Sequence, residues 1–221
     1  MDDDDICLPA DTMAILQQFL AEKAQREQEE AEKVQQKAGK DVEFEEDWQL
    51  SQFWYSSKTK QDLGSVVSQL LEASNENTKE YKIALLSCPS LYATIKEIHY
   101  NVNIFEYDKR FSAYGDDFVF YDFNDADVPD YLKDLWQSYD LIIADPPFLS
   151  EECITKISKI IKNLLKPSAK IIFCSGEVVE QWLLPSLPGV KKCNYHPEHE
   201  RNLGNEFVSY ANFNLDDFIK T

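Results

Sequence analysis

Glycine is scarce in this chain, with six in 221 residues, and so are histidine, with three, and methionine, with two. The shortage matters most after the first apolar run, where "SCPSLYATI" (Ser87 to Ile95) contains no glycine at all. That excludes the usual glycine-rich cofactor loop, in which backbone without a Cβ approaches a phosphate or dinucleotide closely. A Gly-Lys phosphate loop is missing too, as is a nucleophilic serine ordered with histidine and aspartate. No run reaches the roughly 18 apolar residues that suggest a membrane span. The five cysteines (Cys7, Cys88, Cys153, Cys174, Cys193) are odd in number and form no CxxC pair, which argues against a disulfide framework. Basic side chains are few, 22 against 40 acidic ones, giving a net charge of -18. A polyanion repels phosphate backbones and attracts basic surfaces, so nucleic acid is disfavoured as a partner. Asp2 to Asp5 replace the basic, apolar start of an export signal, and the expectation is a soluble, cytoplasmic, monomeric protein.

What is present divides into an arm and a domain. Residues 1–47 hold 15 acidic and 5 basic side chains. Asp11 or Thr12 can cap a helix carrying Met13, Ile15, Leu16, Phe19 and Leu20 on one face, after which "AQREQEEAEKVQQKAGK" has little to bury. This reads as an acidic helical arm and linker, with residues 48–221 as the domain. There, "TKQDLGSVVSQLLEAS" reads as an amphipathic helix burying Val66, Val67, Leu70 and Leu71. "YKIALLS", "NVNIFEYD", "DFVFYDF", "YDLIIAD" and "AKIIFCS" read as strands, alternating with helices or helical turns at "PSLYATIKEI", "VPDYLKDLW" and "SEECITKISKIIKNLL". Such alternation implies an α/β fold, a mostly parallel Rossmann-like sheet with helices on both faces. A further helix, "EVVEQWLL", precedes "GVKKCNY" and "NEFVSYANF", two strands with no helix between them, which suggests an antiparallel hairpin at one edge.

Ligands of such sheets sit beyond the carboxyl ends of the strands. After the first strand, Ser87, Pro89 and Ser90 are the candidates: Pro89 suits a first helical position and leaves the N–H groups of Ser90 and Leu91 free. After the second, Glu106 and Asp108 lie about 20 residues on, where an acid takes ribose hydroxyls. After the third, Asp122 can accept from an adenine amino group and Phe123 can pack on its ring. The fourth strand ends in Asp145, Pro146, Pro147 and Phe148. A primary amine held for alkylation needs acceptors only, and a carboxylate beside two donor-free prolines supplies them rigidly. The neighbouring ring can stack on a base or hold a cation over its face.

"DPPF" at this place resembles the Asp-Pro-Pro-aromatic signature of class I S-adenosylmethionine-dependent amino-methyltransferases. With "QFWYS" (Gln52 to Ser56), "FEYDKRF" (Phe105 to Phe111) and "NEFVSYANF" (Asn205 to Phe213), the chain is similar to a eukaryotic family once described as N6-adenine methyltransferases and now understood as lysine methyltransferases of translation elongation factor 1-alpha. The resemblance covers residues 48–213. It implies a seven-stranded fold, S-adenosylmethionine as cofactor, and methyl transfer to a lysine ε-amine. Trp54 and Tyr55, with Phe53, are then expected to close over the methionine end of the cofactor. Phe148, Tyr55, His199, Asn205 and Glu206 are expected around the substrate.

A lysine ammonium has no lone pair at neutral pH, so it must dock as a cation and then lose a proton. Asp145 is expected to position the nitrogen, with the proton leaving to water or through Tyr55. Two rival readings use the same residues: adenine methylation of DNA or RNA, against which the charge argues, and a non-catalytic module that has lost the cofactor, against which the intact DPPF and three acidic strand ends argue. Cys193, His196 and His199 are close in sequence, but C-x-x-H-x-x-H matches no standard zinc module and shows no fourth ligand. No metal is expected.

Overall fold

Ser56 starts the first helix. Its side-chain oxygen accepts a hydrogen bond from the Thr59 N–H (3.2 Å) and caps α1 (Ser57–Ala73), which buries Leu63, Val66, Val67, Leu70 and Leu71. A computed structural model describes residues 44, 46–74, 79–201 and 206–219. The expected helix near the start of the chain, and Asn205, lie outside them.

Seven strands form one sheet: β1 (Ile83–Leu86), β2 (Val102–Glu106), β3 (Phe118–Phe120), β4 (Tyr139–Ala144), β5 (Leu165–Gly176), β6 (Lys191–Lys192) and β7 (Phe207–Ala211). Their order is β3-β2-β1-β4-β5-β7-β6. The first five run parallel, while β7 runs antiparallel to both β5 and β6. The edge hairpin expected from the two closing strands is therefore present, with its second strand inserted inside the first.

Alternation along the strands divides the core between two faces. Ile83 and Leu85 join Leu63, Val67 and Ile95, the last from α2 (Tyr92–Ile98). Ala84 and Leu86 join Ile154, Ile157 and Ile161 of α3 (Glu151–Leu164) and Leu183 of α4 (Glu180–Ser186). The segment "VPDYLKDLW" forms no α-helix. Pro129 cannot donate a backbone hydrogen bond, and Asp130 and Leu132 take positive φ, so one short 3₁₀ turn occurs within it, Lys133–Leu135.

The strand order reverses between β1 and β4. Leu86 pairs with Ala144, and the Asp145 N–H donates to the Leu86 carbonyl (3.0 Å). The ends of the first and fourth strands, with Ser87 and Asp145, are thereby neighbours at the point where open parallel sheets bind ligands.

Candidate active site

A cavity of about 510 Å³ opens at this switch point. Its wall includes Trp54, Ser87, Pro89, Glu106, Asp122, Phe123, Asp145, Pro146, Pro147, Phe148 and His199. Four strand ends thus contribute expected residues to one space. Ser87 explains how a loop without glycine can turn here: its φ is 54°, the left-handed region normally left to glycine. Its hydroxyl donates to the Tyr121 Oη (3.2 Å), which ties the first loop to the residue following β3.

Glu106, the last residue of β2, is 6 % exposed. Its Oε1 accepts from the Tyr107 N–H (3.1 Å) and the Asp108 N–H (3.4 Å), yet burial outweighs these bonds and pushes the carboxyl up from 4.5 to about 7. Asp108 is not brought to the wall. Its oxygens are taken by Arg110, at 2.8 Å from Nε and 2.7 Å from Nη2, by the Gln52 amide (3.1 Å) and by the Arg110 N–H, so it anchors the loop beneath the cavity. Asp122 caps the following turn, with Oδ1 accepting from the Asn124 N–H (2.8 Å). Phe123 meets Phe148 edge to face at 5.9 Å.

The Asp145 side chain is 12 % exposed. Burial raises its pKa, against the opposing effects of His199 and Tyr55. Among the described residues its only ion-pair contact is His199, whose Nε2 lies 3.9 Å from Oδ2, beyond hydrogen-bond length. Phe148, by contrast, is 44 % exposed and stands at the rim.

Two distant segments close this end of the cavity. Tyr55 and His199 form an antiparallel bridge, flanked by bonds from the Ser56 N–H to the Glu198 carbonyl (2.8 Å) and from the Glu200 N–H to the Trp54 carbonyl (2.8 Å). The His199 ring lies 5.0 Å from the Tyr55 ring and 4.5 Å from the Phe207 ring. Tyr55 is wholly buried behind the wall, and its phenol is pushed well above the usual 10, by burial first and by the Asp145 charge second. The Tyr55 hydroxyl and His199 Nε2 are buried with no hydrogen-bond partner among the described residues. Ser90 also stays off the wall, its Oγ accepting from the Tyr55 N–H (3.3 Å). Glu206 is exposed, 3.7 Å from His196. No metal-binding cluster occurs among the described residues.

The wall also includes residues that strand-end reasoning missed, among them Gln52, Tyr107, Tyr121, Leu149 and Phe207. Tyr107 and Tyr121 lie inside the expected strands "NVNIFEYD" and "DFVFYDF" but directly follow the shorter β2 and β3 of the structure. Leu149 had no local signal: it packs so closely on Gly176 that a Cβ there would lie 2.9 Å from Leu149 Cδ1.

A seven-stranded sheet with this order and a cavity at its switch point define a Rossmann-like fold, and the family match and relatives make the chain a methyltransferase. Residues 46–215 match the family described as "Probable N6-adenine methyltransferase", and the chain belongs to that family. It is 61 % identical to Protein-lysine N-methyltransferase CG9154 of Drosophila melanogaster, over 99 % of both chains. It is 40 % identical to human EEF1A lysine methyltransferase 1, covering 96 % of this chain and 94 % of that one. The yeast relative, Protein-lysine N-methyltransferase EFM5 of Saccharomyces cerevisiae, is 35 % identical over 93 % and 91 %.

Proposed function

We propose that this chain transfers a methyl group from S-adenosylmethionine to the ε-amine of a lysine on translation elongation factor 1-alpha. The carrying observation is Asp145, a largely buried carboxylate whose one cationic neighbour among the described residues is His199, at 3.9 Å. An uncompensated buried charge is costly, and a lysine ammonium supplies both the missing charge and three N–H donors. An adenine amino group is neutral and supplies two. The names of the relatives support the protein substrate, and so does the net charge of -18, which suits a basic protein and opposes a phosphate backbone.

The wall fits the cofactor. In this reading Glu106 takes the ribose hydroxyls, Asp122 and Phe123 hold the adenine and Tyr107 adds a second ring, and that all four line the cavity supports it. The cofactor supplies an electrophilic methyl carbon on a sulfonium. The protein's part is to dock the ammonium on Asp145, exclude water with Phe148 and Trp54, and aim the nitrogen once it has lost a proton.

The family description favours adenine as a second reading, since the same acceptors fit an amino group on a base. Labelled methyl transfer with purified elongation factor, duplex DNA and single-stranded RNA offered in parallel separates the two. Label is expected in a lysine of the protein; label in nucleic acid alone overturns the proposal.

A further inference from the structure

The reaction leaves one step without an agent. A lysine ammonium must lose a proton before its nitrogen can attack, and a carboxylate beside it holds that proton in place. Tyr55 is no acceptor, because burial and the Asp145 charge keep its phenol protonated far above neutral pH. Cys88 and Cys174, which bear on Tyr55 and Asp145, are likewise held as thiols by burial.

His199 remains. Its side chain is 5 % exposed, Nε2 has no hydrogen-bond partner among the described residues, and that nitrogen faces Asp145 Oδ2 across 3.9 Å at the closed end of the cavity. A buried ring nitrogen left unpaired is rare in a folded chain and points to a ligand. The ring itself is held firmly, between Tyr55 and Phe207 and by the bonds on either side of its bridge.

Resting on the lysine reading, we infer that His199 is a further catalytic residue: its Nε2 takes the proton from the docked lysine while Asp145 holds the nitrogen. The N–H bond breaks, the proton goes to Nε2, and the electron pair stays on nitrogen. That pair forms the new N–C bond as the methyl carbon leaves sulfur with the bonding pair left behind. The imidazolium then releases its proton to solvent, so each turnover adds one methyl and frees one proton. The groups around the ring allow this. Asp145 faces it from the end of β4, Tyr55 from the segment before α1, and the uncharged Phe207 from β7. The flanking Glu198 and Glu200 face outward to Lys58 (3.9 Å) and Lys60 (2.9 Å), and Glu206 faces His196. An adenine amino group carries no extra proton to shed before attack, so this acceptor serves a lysine in particular.

The test is the single-turnover rate against pH, from 6 to 10, with saturating methyl donor and elongation factor, for the wild type and His199→Gln. The wild-type rate is expected to reach a plateau within that span. The variant is expected to be about 100-fold slower at pH 7 and to rise with pH until the gap nearly closes at pH 10, where the amine deprotonates unaided. Calorimetry should show cofactor affinity within about threefold of wild type. As a readout apart from turnover, the ¹⁵N resonance of His199 Nε2 should move when elongation factor is added to the enzyme holding the demethylated cofactor. A constant rate ratio at every pH indicates a merely structural role and overturns the inference, while lysine labelling by the wild type leaves the proposed function standing. A wild type that labels no lysine overturns both. Should His199→Gln not fold, the wild-type profile decides alone: an unbroken tenfold rise per pH unit from 6 to 9 overturns the inference.

Discussion

Three side chains at the strand ends lend themselves to single substitutions. Asp145→Asn keeps the shape of the corner but removes the charge that matches an ammonium. Methyl transfer is expected to fall by at least about 10²-fold with cofactor affinity nearly unchanged, and full residual turnover would show the corner to be only a stop for β4. Glu106 predicts a pH effect on stability. Between 4.5 and about 7 the folded chain keeps a proton that the unfolded chain has lost. The contribution of Glu106 is therefore full below pH 4.5 and is lost as the pH rises through 7. Glu106→Gln should melt close to wild type at pH 5 and several degrees higher at pH 8, by up to about 3 kcal/mol, while binding the cofactor more weakly. A melting difference that is the same at both values would count against a buried charge at this site. Ser87, held at a φ of 54°, makes a milder prediction. Ser87→Gly relieves roughly 1 kcal/mol of backbone strain and gives up the bond to Tyr121, so the two changes nearly cancel and a melting shift beyond about 3 °C in either direction is not expected.

At the scale of elements, the closure of the cavity hangs on α1. Thr59 is buried in its first turn, and its hydroxyl accepts from the Glu198 N–H at 2.7 Å, one residue before the histidine. Thr59→Val preserves the shape and strands that N–H. A loss of about 1–3 kcal/mol is expected, with transfer slowed although no atom of the cavity wall has changed. Equal activity and stability in the variant would detach the helix from the site. Much of this level was readable in advance. The apolar runs became β1 to β5, the closing pair became an antiparallel edge, and Val66, Val67, Leu70 and Leu71 are buried on α1. These depend on local pattern and burial. Whether Glu106 or Asp108 faces the cavity depends on Gln52, 56 residues from Asp108, and the partnership of Tyr55 with His199 is more distant still. Contacts of that range leave no periodicity to read. The glycine-free loop was hard to read for a different reason, since Ser87 adopts the conformation for which glycine is the usual signal.

For the whole molecule the governing quantity is charge. At a net -18, association with a basic substrate should be steered electrostatically and should weaken as salt shortens the screening length from about 10 Å at 0.1 M toward 3 Å at 1 M. The KM for elongation factor is expected to rise several-fold between 0.05 and 0.5 M salt while cofactor affinity changes little; equal salt responses would remove charge from the account. The Tyr55–His199 bridge also imposes an order of events. The hydrogen bond beside it joins Thr59 to a residue 139 positions later, whereas β1, β2 and β4, which form the opposite wall, meet across far shorter stretches. On a ribosome, the strand ends that carry Ser87, Glu106 and Asp145 therefore emerge long before the bridge that closes the cavity. A nascent or prematurely ended chain lacks this closure, and methyl transfer is expected only once the segment around residue 199 has emerged to seal the pocket.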